Sequence, residues 1–390
     1  MIDPTTLRGD WNFPTHMRFG PGRILELAAA CSAVGMTRPL LVTDPGLAAL
    51  PMVGEAIARN ETVGLPTGLF SDVAGNPVGR NVDDGAAVYR AGGHDGIIAF
   101  GGGSAIDAAK TIALMAGQVR PLWDFEDQGN NWQRIDPSGV APIVAVPTTA
   151  GTGSETGRAA VIIDEDARAK KIVFHPRMMP FEVISDPELT VGLPPDLTAA
   201  TGMDALAHCL EALCAPSFHP MAEGIALEGA RLVHDWLPRA YADGMDLAAR
   251  AHMLVAASMG STAFQKGLGA VHSISHPVGA IYGVHHGLAN AIVLPYVLRF
   301  NRNVIEDKIC RLARVLALPE PSFEAAMAWL LDLRETLNIP HSLGAVGVPD
   351  DEADRVAAAA LVDPTAAGNP VALDEASLKR LFLDCVHGNL

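Results

Sequence analysis

The sequence predicts an α/β domain followed by an all-helical domain, and two observations lead to this expectation. In the first half of the chain, short β-rich segments alternate with helical segments, which predicts a parallel sheet covered by helices on both faces. After about residue 186, the β-rich segments nearly disappear and long amphipathic segments take over. The 390 residues suffice for two domains. We expect the domains to span 1–190 and 191–390, with the boundary in the turn-rich sequence at 186–195.

The predicted elements follow from apolar periodicity and turn residues. The predicted strands, which are short apolar or β-branched runs, are 39–44, 96–100, 142–147, 159–164, 171–175 and 183–185. The fourth and fifth of these flank a charged turn and predict a β-hairpin. The clearest helical patterns are at 106–116, 221–237, 247–264 and 322–337.

Composition and charge argue against several classes of protein. Hydrophobic residues make up 49% of the chain, which is ample for a large core, and the net charge of -16 argues against binding nucleic acid or an anionic membrane. No apolar run is long enough to span a bilayer, and 1–13 carries charges rather than a secretory signal. The five scattered cysteines are typical of reduced thiols in a cytoplasmic protein. Cys209 and Cys214 lack zinc-knuckle spacing, and we expect them to pack within a helix.

A run of three glycines follows the second predicted strand and begins a predicted helix. Glycine lets the backbone turn sharply and approach a ligand closely, and a helix start presents free N–H groups to a phosphate. Gly101, Gly102, Gly103 and Ser104 therefore predict a pyrophosphate site in a Rossmann-like dinucleotide-binding domain. The spacing is not the usual G-x-G-x-x-G fingerprint, so the alternative is a tight turn without a ligand.

A second loop, rich in threonine and glycine, follows the third predicted strand at 147–155. Its hydroxyls and glycines could line the binding site for phosphate and nicotinamide. The alternative is that the loop only caps a helix. Ligands of open α/β sheets bind at the carboxyl ends of strands, so two such loops strengthen the expectation. Asp44 ends the first predicted strand, where a carboxylate binds a ribose 2′-hydroxyl and repels a 2′-phosphate. It favours NAD over NADP, unless it is only a turn residue before Pro45.

The helical half contains a group of side chains suited to a metal. The group consists of Asp204, His208, His272, His276 and His286. The first two are four residues apart, as are the next two, and residues at this spacing share one face of a helix. Three imidazoles and one carboxylate suit Fe(II) or Zn(II), whereas any single one of the 13 histidines could be structural or exposed. His285 lies next to His286, and only one of two adjacent histidines can point inward along a regular element. The sequence therefore leaves open which of the two faces the metal.

These segments together resemble the iron-containing (group III) alcohol dehydrogenase family, from about residue 13 to residue 301. The matching segments are LLVTD at 40–44, GGGSAIDAAK at 101–110, PTTAGTGSE at 147–155, SDPEL at 185–189, LTAATGMDALAHCLE at 197–211 and GLGAVHSISHPVGAIYGVHHGLANAIVLP at 267–295. The helices beyond residue 301 carry no matching motif. The resemblance implies a dehydroquinate synthase-like fold, with a dinucleotide-binding domain, a helical metal-binding domain and an active site between them.

The resemblance also implies roles for individual residues. The metal ligands fall on Asp204, His208, His272 and His286. His276 matches a histidine near the metal, a candidate for proton relay or nicotinamide contact. Cofactor contacts are implied for Asp44, Asn76, Gly101, Gly102, Gly103, Ser104, Asp107, Thr148, Thr149, Thr152 and Lys171, the last of which follows Lys170.

The expected reaction is NAD-linked interconversion of a small alcohol and its aldehyde or ketone, in a homodimer or larger homo-oligomer. A bound Fe(II) or Zn(II) would supply Lewis-acid chemistry at the substrate oxygen, and the nicotinamide would carry the hydride. Related reductases and transhydrogenases of hydroxyacids and maleylacetate are the alternative. An acidic substrate would require a cation near the metal, and 262–301 supplies little beyond Lys266 and Arg299, which favours a neutral alcohol. A metal hydrolase would leave both loops without a role, and a non-catalytic nucleotide binder would bind NAD without turnover.

Overall fold

The computed structural model describes residues 9–11, 15–167 and 169–390, and these form two compact units. The first unit consists of the described residues up to Thr149 together with Gly153–Val191, and the second consists of Ala150–Thr152 together with Gly192–Leu390. Among the described residues, every helix is too short or too polar to cross a bilayer. The prediction that 1–13 is not a secretory signal falls mostly outside the described residues.

The first unit contains the strands, which form a seven-stranded sheet and a separate hairpin. Their bounds among the described residues are β1 Gly9–Trp11, β2 His16–Phe19, β3 Pro39–Val42, β4 Gly68–Phe70, β5 Gly96–Gly101, β6 Ile143–Pro147, β7 Ala159–Asp164, β8 Ala169–Phe174 and β9 Glu182–Ser185. The strand order of the large sheet is β1-β2-β9-β6-β5-β3-β4. Among the described strands of this sheet only β1 and β2 pair antiparallel, and β7 pairs with β8 as the predicted hairpin. The expected parallel sheet is therefore confirmed.

Helices cover both faces of this sheet. They are α1 Leu27–Ala33, α2 Pro45–Ala48, α3 Pro51–Thr62, α4 Gly79–Ala91 and α5 Gly103–Met115. Every residue of β3, β5, β6 and β9 is buried, as expected for parallel strands that are enclosed on both sides. On one face, Leu27 of α1 and Ala56 of α3 share a hydrophobic cluster with Leu41, Phe100 and Val144 of the sheet.

The chain order of the strands reverses between β3 and β5, which lie side by side in the sheet. From β3 the chain moves outward to β4, then returns to β5 on the other side of β3 and continues to β6. Ligands of open α/β sheets bind at such a switch point, outside the carboxyl ends of the strands. Asp44 follows β3 and the glycine run ends β5. The topology therefore brings the two predicted cofactor elements to one point of the sheet edge.

The second unit is helical throughout its described residues. Its helices are α6 Pro195–Cys214, α7 Pro220–Ala242, α8 Leu247–Ala263, α9 Ala270–Tyr282, α10 His286–Val315, α11 Phe323–Thr336, α12 Ala353–Val362 and α13 Glu375–His387. The central helix is α6, which packs against α7, α8 and α10. Small residues allow this close approach, since a Cβ atom on Gly229 of α7 would lie 2.7 Å from Cys209 Sγ. Cys209 and Cys214 are buried free thiols in α6, so the prediction that they pack within a helix is confirmed.

Candidate active site

The glycine run joins β5 to α5 at a place with no room for side chains. Gly101 has a φ angle of 147°, which favours glycine, and a Cβ atom there would lie 2.7 Å from Ala105 Cβ. Gly102 is the N-cap of α5, and among the described residues no side chain caps this helix. The first N–H groups of α5 therefore remain available to an anion such as a phosphate.

Two more predicted cofactor residues lie beside the glycine run. The Ser104 hydroxyl donates a hydrogen bond to the Gly75 carbonyl at 2.6 Å, which holds the half-buried Asn76 next to the start of α5. Asp44 Oδ1 accepts a hydrogen bond from the Leu47 N–H at 3.0 Å and caps α2. Asp44 thus has a structural role as a turn residue, and its contact with a ribose stays a prediction.

The threonine and glycine loop after β6 lies against the glycine run. The N–H of the buried Thr148 donates to the Gly101 carbonyl at 3.0 Å. The half-buried Thr149 follows, and its Oγ1 is 3.2 Å from the position of a Cβ atom on Gly102. Thr152 is half-buried and belongs to the helical unit. The structure therefore brings Thr148 and Thr149 to the glycine run at the carboxyl edge of the sheet.

Asp107 supports this second loop with both carboxylate oxygens. Its Oδ1 accepts from the Ser154 hydroxyl at 2.5 Å, and its Oδ2 accepts from the Val161 N–H at 2.8 Å. Lys110 Nζ lies 3.2 Å from Asp107 Oδ1 and also donates to the carbonyls of Ser154 and Ala159. Burial lowers the pKa of Lys110 against the opposing effect of Asp107. Asp107 is therefore placed to hold the loop in position.

Lys171, the last of the predicted cofactor residues, lies on β8 of the hairpin. Its Nζ is 2.9 Å from Asp164 Oδ2 and 3.1 Å from Glu126 Oε2, and it stands 5.2 Å from the centre of the Trp123 ring. Partial burial opposes its charge, but the two carboxylates outweigh that effect and raise the pKa of Lys171. Lys171 is therefore a cation held on the hairpin by two acidic partners.

Asp204 and His208 lie one turn apart on α6, as their spacing predicts. Asp204 is 2% exposed and His208 is 3% exposed, because α6 is buried along most of its length. Buried ionisable groups are costly unless they are paired or bind a metal. Burial is the main cause that lowers the pKa of His208 to about 4, so its imidazole is neutral and suited to bind a cation at neutral pH.

The other predicted ligands come from α9 and from the start of α10. Asp204 Oδ1 lies 3.9 Å from His208 Nε2, 3.8 Å from His272 Nε2 and 3.7 Å from His286 Nε2. His285 precedes α10 and is exposed. Of the two adjacent histidines, the structure therefore turns His286 towards Asp204.

These donor atoms have the spacing that one metal requires. Ligand atoms of Asp204, His208 and His272 all lie within 4.8 Å of one another. With metal–ligand bonds of about 2.1 Å, a tetrahedral centre separates its ligand atoms by about 3.4 Å. An inward movement of at most about 0.7 Å on each side would reach that spacing, so the residues present fit a divalent metal.

The Asn290 amide marks the point on which the donors converge. Its Nδ2 is 2.7 Å from Asp204 Oδ1 and 3.2 Å from both His272 Nε2 and His286 Nε2. One carboxylate oxygen and two imidazole nitrogens therefore lie within hydrogen-bond distance of the same amide nitrogen. The donor atoms of three helices thus face one point.

Glu211, one turn beyond His208 on α6, holds His272. Its Oε2 lies 2.5 Å from His272 Nδ1, and its Oε1 accepts from the Val271 N–H at 2.8 Å. Burial opposes protonation of His272, but Glu211 outweighs it and raises the pKa of this imidazole. A carboxylate on Nδ1 directs Nε2 towards a metal, as carboxylate–histidine–metal arrangements do.

His276, the predicted proton relay, has a carboxylate partner from beyond α12. Its Nδ1 lies 2.7 Å from Asp363 Oδ2. Its ring stands 5.4 Å from that of His286 and 5.9 Å from that of His272, centre to centre. The structure thus places His276 next to the predicted ligands.

The first turn of α9 is held by asparagines. Asn369 Oδ1 accepts from the Ala270 N–H at 3.1 Å and from Asn301 Nδ2 at 2.9 Å. Asn369 Nδ2 donates in return to Asn301 Oδ1 at 2.9 Å. This pair fixes the start of the helix that carries His272.

Sequence reasoning missed Glu211, Asn290, Asp363 and Asn369. The first two follow the ligands at helical spacing, Glu211 three residues after His208 and Asn290 four residues after His286, so the helix period could have identified them. Asp363 is 87 residues from His276, and no local pattern connects the two.

Lys266 is not available to an acidic substrate. Its Nζ donates to the carbonyls of Ala212 and Leu213 at 3.0 Å and of Ala215 at 2.7 Å, at the carboxyl end of α6. It also lies 3.2 Å from Glu223 Oε1, and its side chain is fully buried. Lys266 therefore caps α6, the helix of Asp204 and His208, which agrees with the expectation of a neutral alcohol.

Comparison with known proteins identifies the family. The model for iron-containing alcohol dehydrogenases matches residues 14–187, and the model for the C-terminal domain of the same family matches residues 198–386. The chain belongs to the iron-containing alcohol dehydrogenase family. It is an oxidoreductase of that family, as its sequence predicts.

Individual relatives resemble this iron-containing alcohol dehydrogenase over most of its length. A 4-hydroxybutyrate dehydrogenase from Cupriavidus necator is 43% identical over 378 residues, which cover 94% of this chain and 97% of the relative. An NAD-dependent methanol dehydrogenase from Bacillus methanolicus is 34% identical and covers 92% of this chain and 94% of its own. A solved 1,3-propanediol oxidoreductase superposes with a TM-score of 0.89 at 33% identity, over 95% of this chain and 97% of that one.

Proposed function

We propose that this dehydrogenase oxidises a small primary alcohol, or reduces the corresponding aldehyde, with NAD and one divalent metal. The observation that carries the proposal is the set of buried donor atoms from Asp204, His208 and His272, all within 4.8 Å of one another. These residues and His286 would hold the metal. A bound divalent metal supplies Lewis-acid polarisation of the substrate oxygen.

The metal is Fe(II) or Zn(II), since three imidazoles and one carboxylate suit both ions. The family description favours iron. Glu211 on His272 and the cap on Ala270 would hold the ligand helix α9 before the metal arrives, which reduces the rearrangement that binding requires.

NAD would bind at the switch point of the sheet. The uncapped first turn of α5, with Gly101, Gly102, Gly103 and Ser104, suits the pyrophosphate. Thr148 and Thr149 would line the same edge, and Asn76, Thr152 and Lys171 are proposed as further contacts. Asp107 would act by supporting the second loop. NAD rather than NADP rests on Asp44, whose carboxylate would repel a 2′-phosphate.

The reaction balances as alcohol plus NAD⁺ giving carbonyl, NADH and one proton. Bound NAD would supply the acceptor for the hydride of the carbinol C–H bond, and the hydroxyl would give up its proton. His276 would take this proton at Nε2 and release it to water. Its ring lies beside those of His272 and His286, which supports this role.

A second candidate substrate class is the ω-hydroxyacid. The 43% identical relative is named a 4-hydroxybutyrate dehydrogenase, which favours a substrate with a carboxylate at the far end. Lys266 is engaged by carbonyls and by Glu223, so such a substrate would need another cation. The resemblance to the family also implies a homodimer or larger homo-oligomer, which light scattering would test.

The test is NAD reduction, followed by nicotinamide absorbance, with metal-free enzyme to which Fe(II) or Zn(II) is added back. The panel pairs 1,4-butanediol with 4-hydroxybutyrate, and 1-propanol with 3-hydroxypropanoate, so that members of a pair differ chiefly by a carboxylate. Metal-restored turnover of the neutral member supports the primary proposal, and preference for the acid supports the second candidate. No turnover with either metal would refute both.

A further inference from the structure

The segment 363–369, between α12 and α13, sends two side chains to helix α9. Asp363 Oδ2 lies 2.7 Å from His276 Nδ1, and both side chains are 7% exposed. Asn369 Oδ1 accepts from the Ala270 N–H at 3.1 Å. This segment therefore contacts both the first turn of α9 and the histidine in its middle.

Asp363 is itself held in one orientation. Its Oδ1 accepts from the Thr365 N–H at 2.9 Å and from the Thr365 hydroxyl at 2.5 Å. The two carboxylate oxygens thus have different partners, since Oδ1 faces Thr365 and Oδ2 faces His276. Burial works against the charge of Asp363, but His276 and Thr365 outweigh it and lower the pKa of this carboxyl to about 2.

An ionised carboxylate only accepts hydrogen bonds. The proton on His276 must therefore lie on Nδ1, where Asp363 accepts it, and Nε2 is left on the opposite edge of the ring. That assignment holds whether the imidazole carries one proton or two. In the same way, the hydrogen-bond partner of one ring nitrogen sets the role of the other in catalytic histidines generally.

We infer that Asp363 is a positioning residue, which orients His276 and fixes its Nδ1–H tautomer so that Nε2 exchanges the substrate proton. The inference rests on the proposed function, because it assumes that His276 carries this proton. In the oxidation, the alcohol O–H bond breaks, its proton goes to His276 Nε2, and its electron pair stays on oxygen and forms the carbonyl bond as hydride leaves carbon for NAD⁺. The protonated ring then releases the proton to water.

Asp363→Asn tests this with little change of shape. The amide oxygen can still accept from Thr365, and the amide NH₂ then meets His276 Nδ1. An NH₂ group requires a lone pair on Nδ1, so the proton moves to Nε2 and the ring can no longer accept there. The expected result is a fall in kcat of about 100-fold, the low end of general acid–base effects, with the KM for the alcohol and the metal content unchanged.

The matched control is Asp374→Asn. Asp374 caps α13 by accepting from the Ser377 N–H at 2.7 Å, much as Asp363 accepts from Thr365, but its side chain is exposed. It should leave kcat unchanged. A double-mutant cycle with His276→Asn gives the coupling, and Asp363→Asn should cost nothing further once the imidazole is absent. Equal losses in both backgrounds would overturn the inference and leave Asp363 a purely structural residue.

A spectroscopic measurement separates this inference from the proposed function. In Zn(II)-loaded enzyme with ¹⁵N-labelled histidine, the His276 ring signals, assigned by their loss in His276→Asn, should report a protonated Nδ1 in the parent and a protonated Nε2 in Asp363→Asn. An unchanged tautomer would overturn the inference even if the enzyme oxidises alcohols. If His276→Asn keeps full kcat, the proton role of His276 fails and the inference falls with it. If the parent oxidises no alcohol, the proposed function fails, and the ring signals still decide whether Asp363 sets the tautomer.

Discussion

The glycine run of the α/β unit and the histidine cluster of the helical unit are built on different principles. At the glycine run the proposed binding groups are backbone N–H groups at the start of α5, and the residues matter because they lack side chains. At the histidine cluster the proposed binding groups are side chains from three helices. A backbone site is specified by a few consecutive residues, whereas a side-chain site depends on partners scattered along the chain.

Two buried lysines stabilise different kinds of structure in the two units. Lys110 and Lys266 are both buried, and each donates to three backbone carbonyls. Lys110 fixes the segment after the threonine and glycine loop, while Lys266 caps α6, the helix of Asp204 and His208. One lysine therefore stabilises a loop and the other a helix end, where a cation also interacts favourably with the helix dipole.

The largest effect expected is from removal of a ligand imidazole. His272→Ala should abolish metal binding and lower kcat by about 10³-fold or more, since a buried ligand and the charge partner of Glu211 are lost together. NAD affinity should remain, because the proposed nucleotide residues other than Thr152 lie in the other unit. Metal analysis measures the loss of the metal, and calorimetric titration with NAD measures the nucleotide affinity. Loss of NAD affinity would contradict separate binding of metal and nucleotide. His387→Ala is the control for the loss of a histidine.

Replacement of the two buried lysines should destabilise different regions. Lys110→Met should cost about 3–5 kcal/mol, because the buried charge of Asp107 loses its cation. Lys266→Met should cost about 1–3 kcal/mol, because buried carbonyls of α6 lose a donor while Glu223 keeps Lys308 and Arg311. Hydrogen exchange should rise around 154–161 in the first variant and at the carboxyl end of α6 in the second. The exposed pair Lys379–Asp354 supplies the control, and Lys379→Met should change stability by less than about 1 kcal/mol. Increased exchange in the same segments for both would contradict separate roles.

Glu211→Gln sharpens the account of the metal cluster. The amide still accepts from the Val271 N–H but no longer carries a charge for His272, so metal affinity should fall about 10–100-fold. Competition with a chromophoric chelator measures this. Glu228→Gln, an exposed glutamate paired with Arg231 on α7, should leave affinity unchanged. Equal affinity in both variants would refute the role of Glu211.

Gly101→Ala tests the backbone site. The positive φ and the contact with Ala105 should cost about 1–3 kcal/mol and weaken NAD binding, with metal affinity unchanged. Gly54→Ala in α3 is the matched control, because a Cβ atom there meets nothing within 4 Å, and this change should stabilise slightly. Calorimetry and urea unfolding would follow both. Unchanged NAD affinity in Gly101→Ala would contradict a pyrophosphate site at this turn.

The smallest expected effect is on the pH dependence of stability, through Glu223, which is paired with Lys266 at the end of α6. Burial opposes the charge of Glu223, but Lys266, Lys308 and Arg311 outweigh it and lower its pKa. A carboxyl whose pKa is lower in the folded protein stabilises the fold at pH values above its pKa in the unfolded chain. This stabilisation is lost as the pH falls through its pKa in the folded protein. Glu223→Gln should therefore reduce unfolding free energy more at pH 7 than near pH 4. Glu335→Gln, at an exposed glutamate, is the control, and an equal loss at both pH values would contradict the assignment.

The sequence predicted most of the fold because the long buried strands and amphipathic helices are local patterns. It missed β1, β2 and β4, which have only three or four residues, too few for a periodic signal. β2 pairs with β9, and its His16 and Arg18 contact Glu182 from more than 160 residues away. Such a strand is defined by a distant partner.

At the site, the sequence predicted the residues that stand in contiguous motifs. Asp204 and His208 share a helix face by their spacing, and the glycine run is one segment. Asp363 and the burial of Lys266 could not be predicted, because one depends on a contact with α9 and the other on carbonyls of α6. Side-chain orientation in a helical unit is decided by tertiary packing, which local periodicity does not contain.

The central claim is that Asp204, His208, His272 and His286 hold one divalent metal on which alcohol oxidation depends. The most direct measurement is anaerobic titration of metal-free protein with Fe(II), and separately with Zn(II), followed by calorimetry and by NAD reduction on the same samples. One equivalent of metal should bind per chain, activity should rise in step with occupancy, and Asp204→Ala should show no such binding. Activity that reaches its full value without bound metal, or one equivalent still bound by Asp204→Ala, would contradict this claim.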